Sequence, residues 1–159
     1  METISTQATR YLDERQIPYR IFFHEKSVNS LEQAALERGM VPLQVIRSLL
    51  FRLPDGGFVM VLVAGPGQIP WKQLRSLLKT SRVTMATDDE VLQFSGCRPG
   101  TVTPFGIPNP MTILIDSRIS QQDEVSLGVC SSNTAVILKS QDLLKALETY
   151  TMVDLFPDP

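Results

Sequence analysis

Helical and strand patterns alternate along this chain, and a single α+β domain with a mixed sheet is the fold class that the sequence predicts. Three observations carry that reading. Residues 58–64, Phe-Val-Met-Val-Leu-Val-Ala, form an almost wholly apolar run of strand length, as expected of a strand covered on both faces. Asp55-Gly56-Gly57 just before it is a hairpin signal, which folds that run back on the β-branched and aromatic residues of 45–53. Capped helical patterns separate several of the other strand candidates, so hairpins and crossovers coexist and the sheet is mixed.

The elements follow in order. Residues 5–16 read as a helix, because Ile4, Ala8, Tyr11 and Leu12 recur at helical spacing, with Ser5 or Thr6 as its cap. Pro18 closes it, and residues 19–23 read as a strand. Ser30 with Gln33 makes a capping-box pattern, opening a helix that stops at Gly39. After the hairpin, Gly65-Pro66-Gly67 breaks the chain and Pro70 suits the first turn of another helix. Residues 82–86 predict a strand, and Thr87 with Glu90 starts a short helix ending by Gly96. Strands are predicted at 111–116, 124–129 and 135–139. Ser140 then caps a last helix reaching about residue 149, and the tail Phe156-Pro157-Asp158-Pro159 reads as loose.

The totals bound what the chain does. At 159 residues and 17.7 kDa it is one domain, residues 1–159, large enough to bury a core. No apolar run approaches the ~20 residues of a membrane-spanning helix, and Met1-Glu2-Thr3-Ile4-Ser5 lack the pattern of a signal peptide. The expectation is a cytoplasmic protein with no membrane partner. Cys97 and Cys130 lack metal-ligand spacing, and two thiols in an intracellular chain are expected to stay reduced. With one histidine and no matching acidic cluster, neither a metal site nor a cofactor is expected.

A net charge of −2 and a pI near 5.4 argue against a dedicated nucleic-acid binder. The distribution of charge softens that. Between Asp55 and Asp88 there is no acidic residue, yet Lys72, Arg75, Lys79 and Arg82 fall there, spaced to share one face of a helix. Trp71, Leu74, Leu77 and Leu78 take the opposite face. The basic stripe is either a solvated face or a surface for weak, salt-sensitive contacts to phosphates.

The most informative segment is Gly100-Thr101-Val102-Thr103-Pro104-Phe105-Gly106. Two glycines bracket it and Pro104 is its only rigid element, so its backbone N–H and C=O groups can come close to a small polar ligand. It gains specificity beside Gln44-Val45-Ile46-Arg47-Ser48-Leu49-Leu50-Phe51 upstream and Val125-Ser126-Leu127-Gly128 downstream. These segments, in that order, resemble the YbaK-type family of aminoacyl-tRNA deacylases, which includes the editing domain inserted in bacterial prolyl-tRNA synthetases. The resemblance runs from Ile17-Pro18-Tyr19 and His24, through Glu32-Gln33-Ala34-Ala35, to Gln141-Asp142-Leu143-Leu144.

The resemblance implies a curved, barrel-like mixed sheet flanked by helices. It also implies a trans-editing deacylase that hydrolyses misacylated tRNA, with alanine or cysteine on proline tRNA as the substrate class. Arg47, Gly100, Thr103 and Gly106 stand at the positions expected to carry the reaction. His24, Ser48, Pro104, Phe105, Ser126 and Gly128 would bind the aminoacyl end, and Lys72, Arg75, Lys79 and Arg82 would touch the tRNA. The partners are then the acceptor end of tRNA and an aminoacyl-tRNA synthetase. Arg47 departs from the family, which carries lysine there; arginine cannot act as a base, but its planar fork can hold a phosphate or an oxyanion. Leu127 stands where glycine is frequent, and either narrows the pocket or points away from it. Asn133-Thr134 reads as turn chemistry.

A reaction on so activated an ester needs no nucleophilic side chain. The loop backbone would bind the α-amine and the developing oxyanion, Arg47 the terminal phosphate or ribose, and a ribose hydroxyl would help activate the water. The sequence has no Gly-x-Ser-x-Gly elbow, and nothing in its spacing pairs His24 with a cysteine. The competing expectation is a non-catalytic module that binds the acceptor end or docks on a synthetase.

Overall fold

The structure is a computed structural model that describes residues 4–157. Helix α1 is Gln7–Glu14, and Thr6 caps it with a reciprocal pair of bonds to Thr9. Strand β1 is Arg20–Phe23 and helix α2 is Leu31–Arg38. The Ser30 hydroxyl accepts from Gln33 N–H, and Gly39, with φ of 71°, ends α2 in the left-handed region where glycine costs nothing. A 3₁₀ turn, Pro42–Gln44, leads into β2, Ile46–Arg52. Asp55 accepts from Gly57 N–H in the tight turn that joins β2 to β3, Phe58–Ala64. Helix α3, Trp71–Leu78, precedes a two-residue strand β4, Thr84–Met85, and helix α4, Asp88–Ser95. Strand β5, Thr112–Asp116, a 3₁₀ turn, and strands β6, Glu124–Gly128, and β7, Thr134–Lys139, follow. Helix α5, Ser140–Leu147, and strand β8, Thr151–Val153, complete the order.

These strands form two sheets. One is three-stranded and antiparallel, β1-β7-β6; the other is five-stranded and mixed, β4-β2-β3-β5-β8, with β5 parallel to both β3 and β8. Among the described residues a single isolated bridge, Val45 to Ser126, joins them. The mixed sheet and flanking helices expected from the sequence are present, as two sheets and not as one closed barrel.

Side-chain alternation on β2 and β3 explains the apolar run at 58–64. Ile46, Met60, Leu62 and Ala64 face the three-stranded sheet, where they meet Val125, Leu127, Val136 and Leu138 with Leu12 of α1 and Leu143 of α5. Phe51, Val59, Val61 and Val63 face the other way, under Leu74, Trp71, Leu77 and Leu78 of α3. Both faces of the central strands are therefore covered. Leu127 points into the first core, which also holds Val102 and Phe105 of the segment at 100–106.

Several expectations are corrected. Cys97 and Cys130 are joined by a disulfide. The end of α4 and the end of β6 bring their Cα atoms to 5.2 Å, an ordinary disulfide separation that a sequence gap of 33 residues does not reveal. Helix α3 ends at Leu78, so Lys79, with φ of 55°, caps it and Arg82 lies beyond it; the basic residues do not form one helical stripe. Ser140 is the first residue of α5, and Lys139 holds the cap position. The strand expected at 82–86 shrinks to two residues, and β8 was not anticipated. The tail is anchored as far as it is described: Leu155 is buried and the Phe156 ring lies 4.0 Å from the Arg118 guanidinium carbon. Asp158 and Pro159, also assigned to the loose tail, fall outside the described residues, as does the part of the opening segment at residues 1–3.

One buried charge locks β3 to β5. The Asp116 carboxylate, fully inaccessible, accepts from Ala64 N–H at 3.1 Å, from Arg118 N–H at 3.0 Å and from the Arg118 guanidinium at 2.8 Å. Arg118 in turn donates to the Ala64 carbonyl at 2.9 Å. Asp116→Ala leaves a buried donor and a half-buried cation unpaired, and is expected to cost about 3 kcal/mol in urea unfolding. A loss under about 1 kcal/mol would mean that water replaces the carboxylate.

Candidate active site

Glycine at 128 decides where the loop at 100–106 can lie. A Cβ there would overlap the Val102 carbonyl oxygen and sit 2.9 Å from that of Thr101, so only a bare backbone lets the loop rest on the end of β6. Cys130 N–H donates to the Thr101 carbonyl at 2.9 Å, and the Cys97–Cys130 bond closes the same junction. The loop is thus held by backbone contact, a hydrogen bond and a covalent link.

The loop divides two cavities. Its first half, Gly100 and Val102, lines a cavity of about 450 Å³, together with Arg47 and Ser48 of β2, Gly128, Thr134, and Asn29, Ser30 and Arg38 at the two ends of α2. Its second half, Pro104 and Gly106, lines a separate cavity of about 680 Å³ between α1, the start of β5 and the α5–β8 connection. Thr103 and Phe105 are fully buried and line neither. The Thr103 hydroxyl accepts from Phe105 N–H at 3.2 Å, and the Phe105 ring stacks on Tyr11 at 5.9 Å. Gly106 is a glycine for packing: a Cβ would lie 2.6 Å from the Gln7 carbonyl oxygen. Gly100, with φ of 84°, meets nothing within 4 Å at that place. Of the two bracketing glycines, it is the one that opens on the smaller cavity.

The smaller cavity is rich in cations. Arg47 Nε donates to the Gly65 carbonyl at 3.0 Å and its terminal nitrogen to the Gly67 carbonyl at 2.9 Å, so its fork holds the β3–α3 connection. Burial, and then the charge of Arg118, pull its pKa below the ordinary arginine value. Arg38 Nε donates to His24 Nε2 at 3.1 Å, and Arg38 Nη1 to the Ser126 hydroxyl at 2.9 Å. Burial lowers the pKa of Arg38 as well, against the opposing charge of Glu37. Among the described residues neither Arg38 nor Arg47 forms an ion pair with a carboxylate. Ser48 adds a hydroxyl that is buried and lacks a hydrogen-bond partner among the described residues.

His24 lies behind this wall, its side chain 1 % exposed. Its Nδ1 is 2.8 Å from Glu37 Oε1, and since Nε2 accepts from Arg38, the proton is at Nδ1. That bond, and a second from Gln33, hold the Glu37 carboxyl below the usual carboxylate range. A carboxylate depressed in the folded chain stabilises it above the ordinary carboxylate pKa, and the contribution is lost as pH falls through the lowered value. Both ring nitrogens of His24 are occupied, so the ring is not among the groups lining the cavity.

Of the residues singled out from the sequence, Arg47, Ser48, Gly100 and Gly128 meet at the smaller cavity, and Ser126 and His24 stand behind it through Arg38. Pro104 and Gly106 face the other cavity, and Thr103 and Phe105 face neither. Arg38 and Asn29 were not singled out, and Ser30 only as a helix cap. Arg38 gives little signal, because a basic residue in the last turn of a helix is ordinarily explained by the helix dipole.

Residues 25–146 match the sequence profile of the aminoacyl-tRNA editing domain. The chain belongs to that family. Editing-domain relatives include the proline--tRNA ligase of Bacillus licheniformis, 26% identical over 132 residues that cover 83% of this chain and 23% of the ligase. That of Bacillus subtilis is 30% identical over 139 residues, covering 75% of this chain and 24% of the ligase. The chain therefore spans about a quarter of the length of these relatives. The fold matches a crystal structure of a candidate trans-editing enzyme for prolyl tRNA synthetase, with a TM-score of 0.85 at 23% identity over 98% of this chain and 100% of that one. A hypothetical protein of known structure matches with a TM-score of 0.82 at 18% identity, covering 92% of this chain and 97% of the other. Among the described residues no helix is long and apolar enough to cross a membrane.

The two glycines of the smaller cavity separate by experiment. Gly128→Ala is expected to lose about 1–3 kcal/mol in denaturant unfolding, because a methyl group meets backbone that cannot retreat. Gly100→Ala is expected to lose only about 1 kcal/mol, the conformational cost of positive φ. Equal losses would mean that the loop yields at Val102.

Proposed function

We propose that this chain is a trans-editing deacylase that hydrolyses the ester of misacylated tRNA, with alanine or cysteine on proline tRNA as its substrates. One observation carries the reading. Parts of the three family segments meet at a small cavity whose polar groups are two arginines, the Asn29 amide, the Ser30, Ser48 and Thr134 hydroxyls and glycine backbone, with no nucleophile activated by a base among the described residues. Cys97 is spent in a disulfide and both nitrogens of His24 are engaged, which leaves no cysteine–histidine pair there.

Such a cavity suits water as the attacking group. The water oxygen bonds to the ester carbonyl carbon, the bond to the ribose oxygen breaks, and that oxygen takes up a proton as the free amino acid leaves. Arginine fixes anionic oxygens without accepting the proton. The proton therefore passes to another group, and a ribose hydroxyl of the substrate is the candidate. Cavity size selects small side chains, with one extra methylene worth roughly 10- to 200-fold at most. The exposed Lys72 and Lys79, with half-buried Arg75, lie along and at the end of the helix that follows the connection Arg47 holds, and they would meet the tRNA backbone beyond the acceptor end.

A second reading is favoured by Arg47. Two of its nitrogens are committed to the Gly65 and Gly67 carbonyls, as expected of a residue that supports a binding surface without taking part in a reaction. In that case the chain is a module that binds the acceptor end, alone or beside a synthetase.

Deacylation of Ala-tRNA and Cys-tRNA, both charged on proline tRNA, separates the readings. The deacylase hydrolyses at least one well above its spontaneous rate. Arg47→Ala is expected to slow it about tenfold by freeing the β3–α3 connection. A wild type that binds these tRNAs without hydrolysing either is the binding module. Charge reversal at Lys72 and Lys79 is expected to weaken tRNA binding and reduce the slope of log affinity against log salt by about 1 to 2. An unchanged slope would make these residues an ordinary solvated face.

A further inference from the structure

Arg38 ties three elements together through buried partners and still leaves part of its guanidinium open. A guanidinium in the last turn of a helix ordinarily reaches into water, but this one turns inward and is gripped at two points. His24 takes the Nε proton and Ser126 takes one Nη1 proton, both side chains being buried. His24 is itself fixed by Glu37, one residue before Arg38 on the same helix. The chain Glu37–His24–Arg38–Ser126 thus links α2, the end of β1 and β6, and its purpose is to aim a fork. The Nη2 edge of that fork has no acceptor among the described residues, and Arg38 lines the cavity beside Ser48, whose hydroxyl is also without a partner.

We infer that Arg38 is the cation that this site turns to its ligand, through Nη2 and the free proton of Nη1, and that His24 is the positioning residue that holds it there. The inference rests on the editing reading for the identity of the ligand, an anionic oxygen of the aminoacylated terminal nucleotide. Two oxygens share that chemistry: the phosphate of the terminal nucleotide, charged before reaction, and the ester carbonyl oxygen, charged only as water adds. Arg47 occupies the position where the family carries lysine, but its Nε and one terminal nitrogen serve backbone carbonyls. Arg38 also commits Nε and one terminal nitrogen, but to two buried side chains and not to loop carbonyls, and its Nη2 is left without an acceptor among the described residues. Because two partners fix the side chain before a ligand arrives, little rotamer freedom remains to be lost on binding. In a site without a carboxylate partner, an anionic ligand would complete the charge.

The test has two readouts, one independent of activity. Nitrogen NMR of the single histidine near neutral pH is expected to show Nδ1 protonated and Nε2 as an acceptor. In Arg38→Ala the Nε2 resonance is expected to shift as its donor disappears. A ring protonated at Nε2 in the wild type would overturn the positioning link. For the substrate role, deacylation of Ala-tRNA and Cys-tRNA is compared in wild type, Arg38→Ala, Arg38→Lys and His24→Gln.

Arg38→Ala is expected to lose about ten- to a hundredfold in kcat/KM, the range for a hydrogen bond to a charged group. The loss appears in KM if the phosphate is held and in kcat if the ester oxygen is held. Guanidinium ion at low millimolar concentration is expected to restore part of the Arg38→Ala rate in a saturable way and to leave His24→Gln unrescued. Arg38→Lys keeps the charge without the fork and is expected to stay impaired.

A folded Arg38→Ala with wild-type kinetics would overturn the proposal while the deacylase stands. If the wild type hydrolyses neither tRNA, the editing reading fails on its own. Arg38 is then judged by binding of an acceptor-stem oligonucleotide that carries alanine through a stable amide. Binding lost in Arg38→Ala supports its role, and binding unchanged overturns it.

Discussion

Everything near the cavity depends on backbone meeting backbone at Gly128. The loop at 100–106 has few side chains able to anchor it to β6, and it sits there because Gly128 presents no Cβ to the Thr101 and Val102 carbonyls. Once seated, it is fixed by the Cys130–Thr101 hydrogen bond and the Cys97–Cys130 link. The close approach turns two strand ends and a loop into one wall of a cavity, and α2 supplies the other wall. A wall made this way exposes polar backbone in a fixed position and keeps reactive side chains out. That is the chemistry an activated ester needs.

The same economy runs through the charges. Three of the guanidinium groups around the central strands have different tasks. Arg118 neutralises the buried Asp116 and ties β3 to β5. Arg47 bonds the carbonyls of the β3–α3 connection. Arg38 is aimed by a histidine and a serine and keeps part of its fork open. Burial disfavours the charged form of both Arg38 and Arg47, and an arriving anion relieves that cost. Two partly buried cations thus line the cavity although the protein as a whole carries a net charge of −2.

Much of the fold was legible in the sequence because local chemistry dictated it. Thr6, Ser30 and Thr87 cap their helices, Gly39 and Gly96 end theirs with positive φ, and the Asp55-Gly56-Gly57 turn makes its hairpin. The apolar run at 58–64 is covered on both faces, as its composition required. What was not legible is what distance in sequence hides. The disulfide depends on the ends of α4 and β6 meeting, and neither cysteine has a neighbour that announces it. Helix α3 stops a turn early because Lys79 adopts positive φ, which lysine rarely does and no local pattern foretells. Strand β8 forms because β5 offers it an edge. For the candidate site, segment identity was readable but orientation was not. Only the structure shows that Gly100 and Gly106 open on different cavities and that Thr103 and Phe105 turn inward. Arg38 was missed because its position on α2 has a simpler explanation than the one its contacts require.

Two cavities lie on either side of one loop, and the aminoacyl end can occupy only one of them. The most direct measurement is a crystal structure with terminal adenosine carrying alanine through a stable amide at its 3′ position. The alanyl group is expected in the cavity of about 450 Å³, between the Gly100–Val102 backbone and the Arg38 and Ser48 side chains. Density for that group in the cavity of about 680 Å³ lined by Pro104, Gly106 and Tyr150 would contradict it.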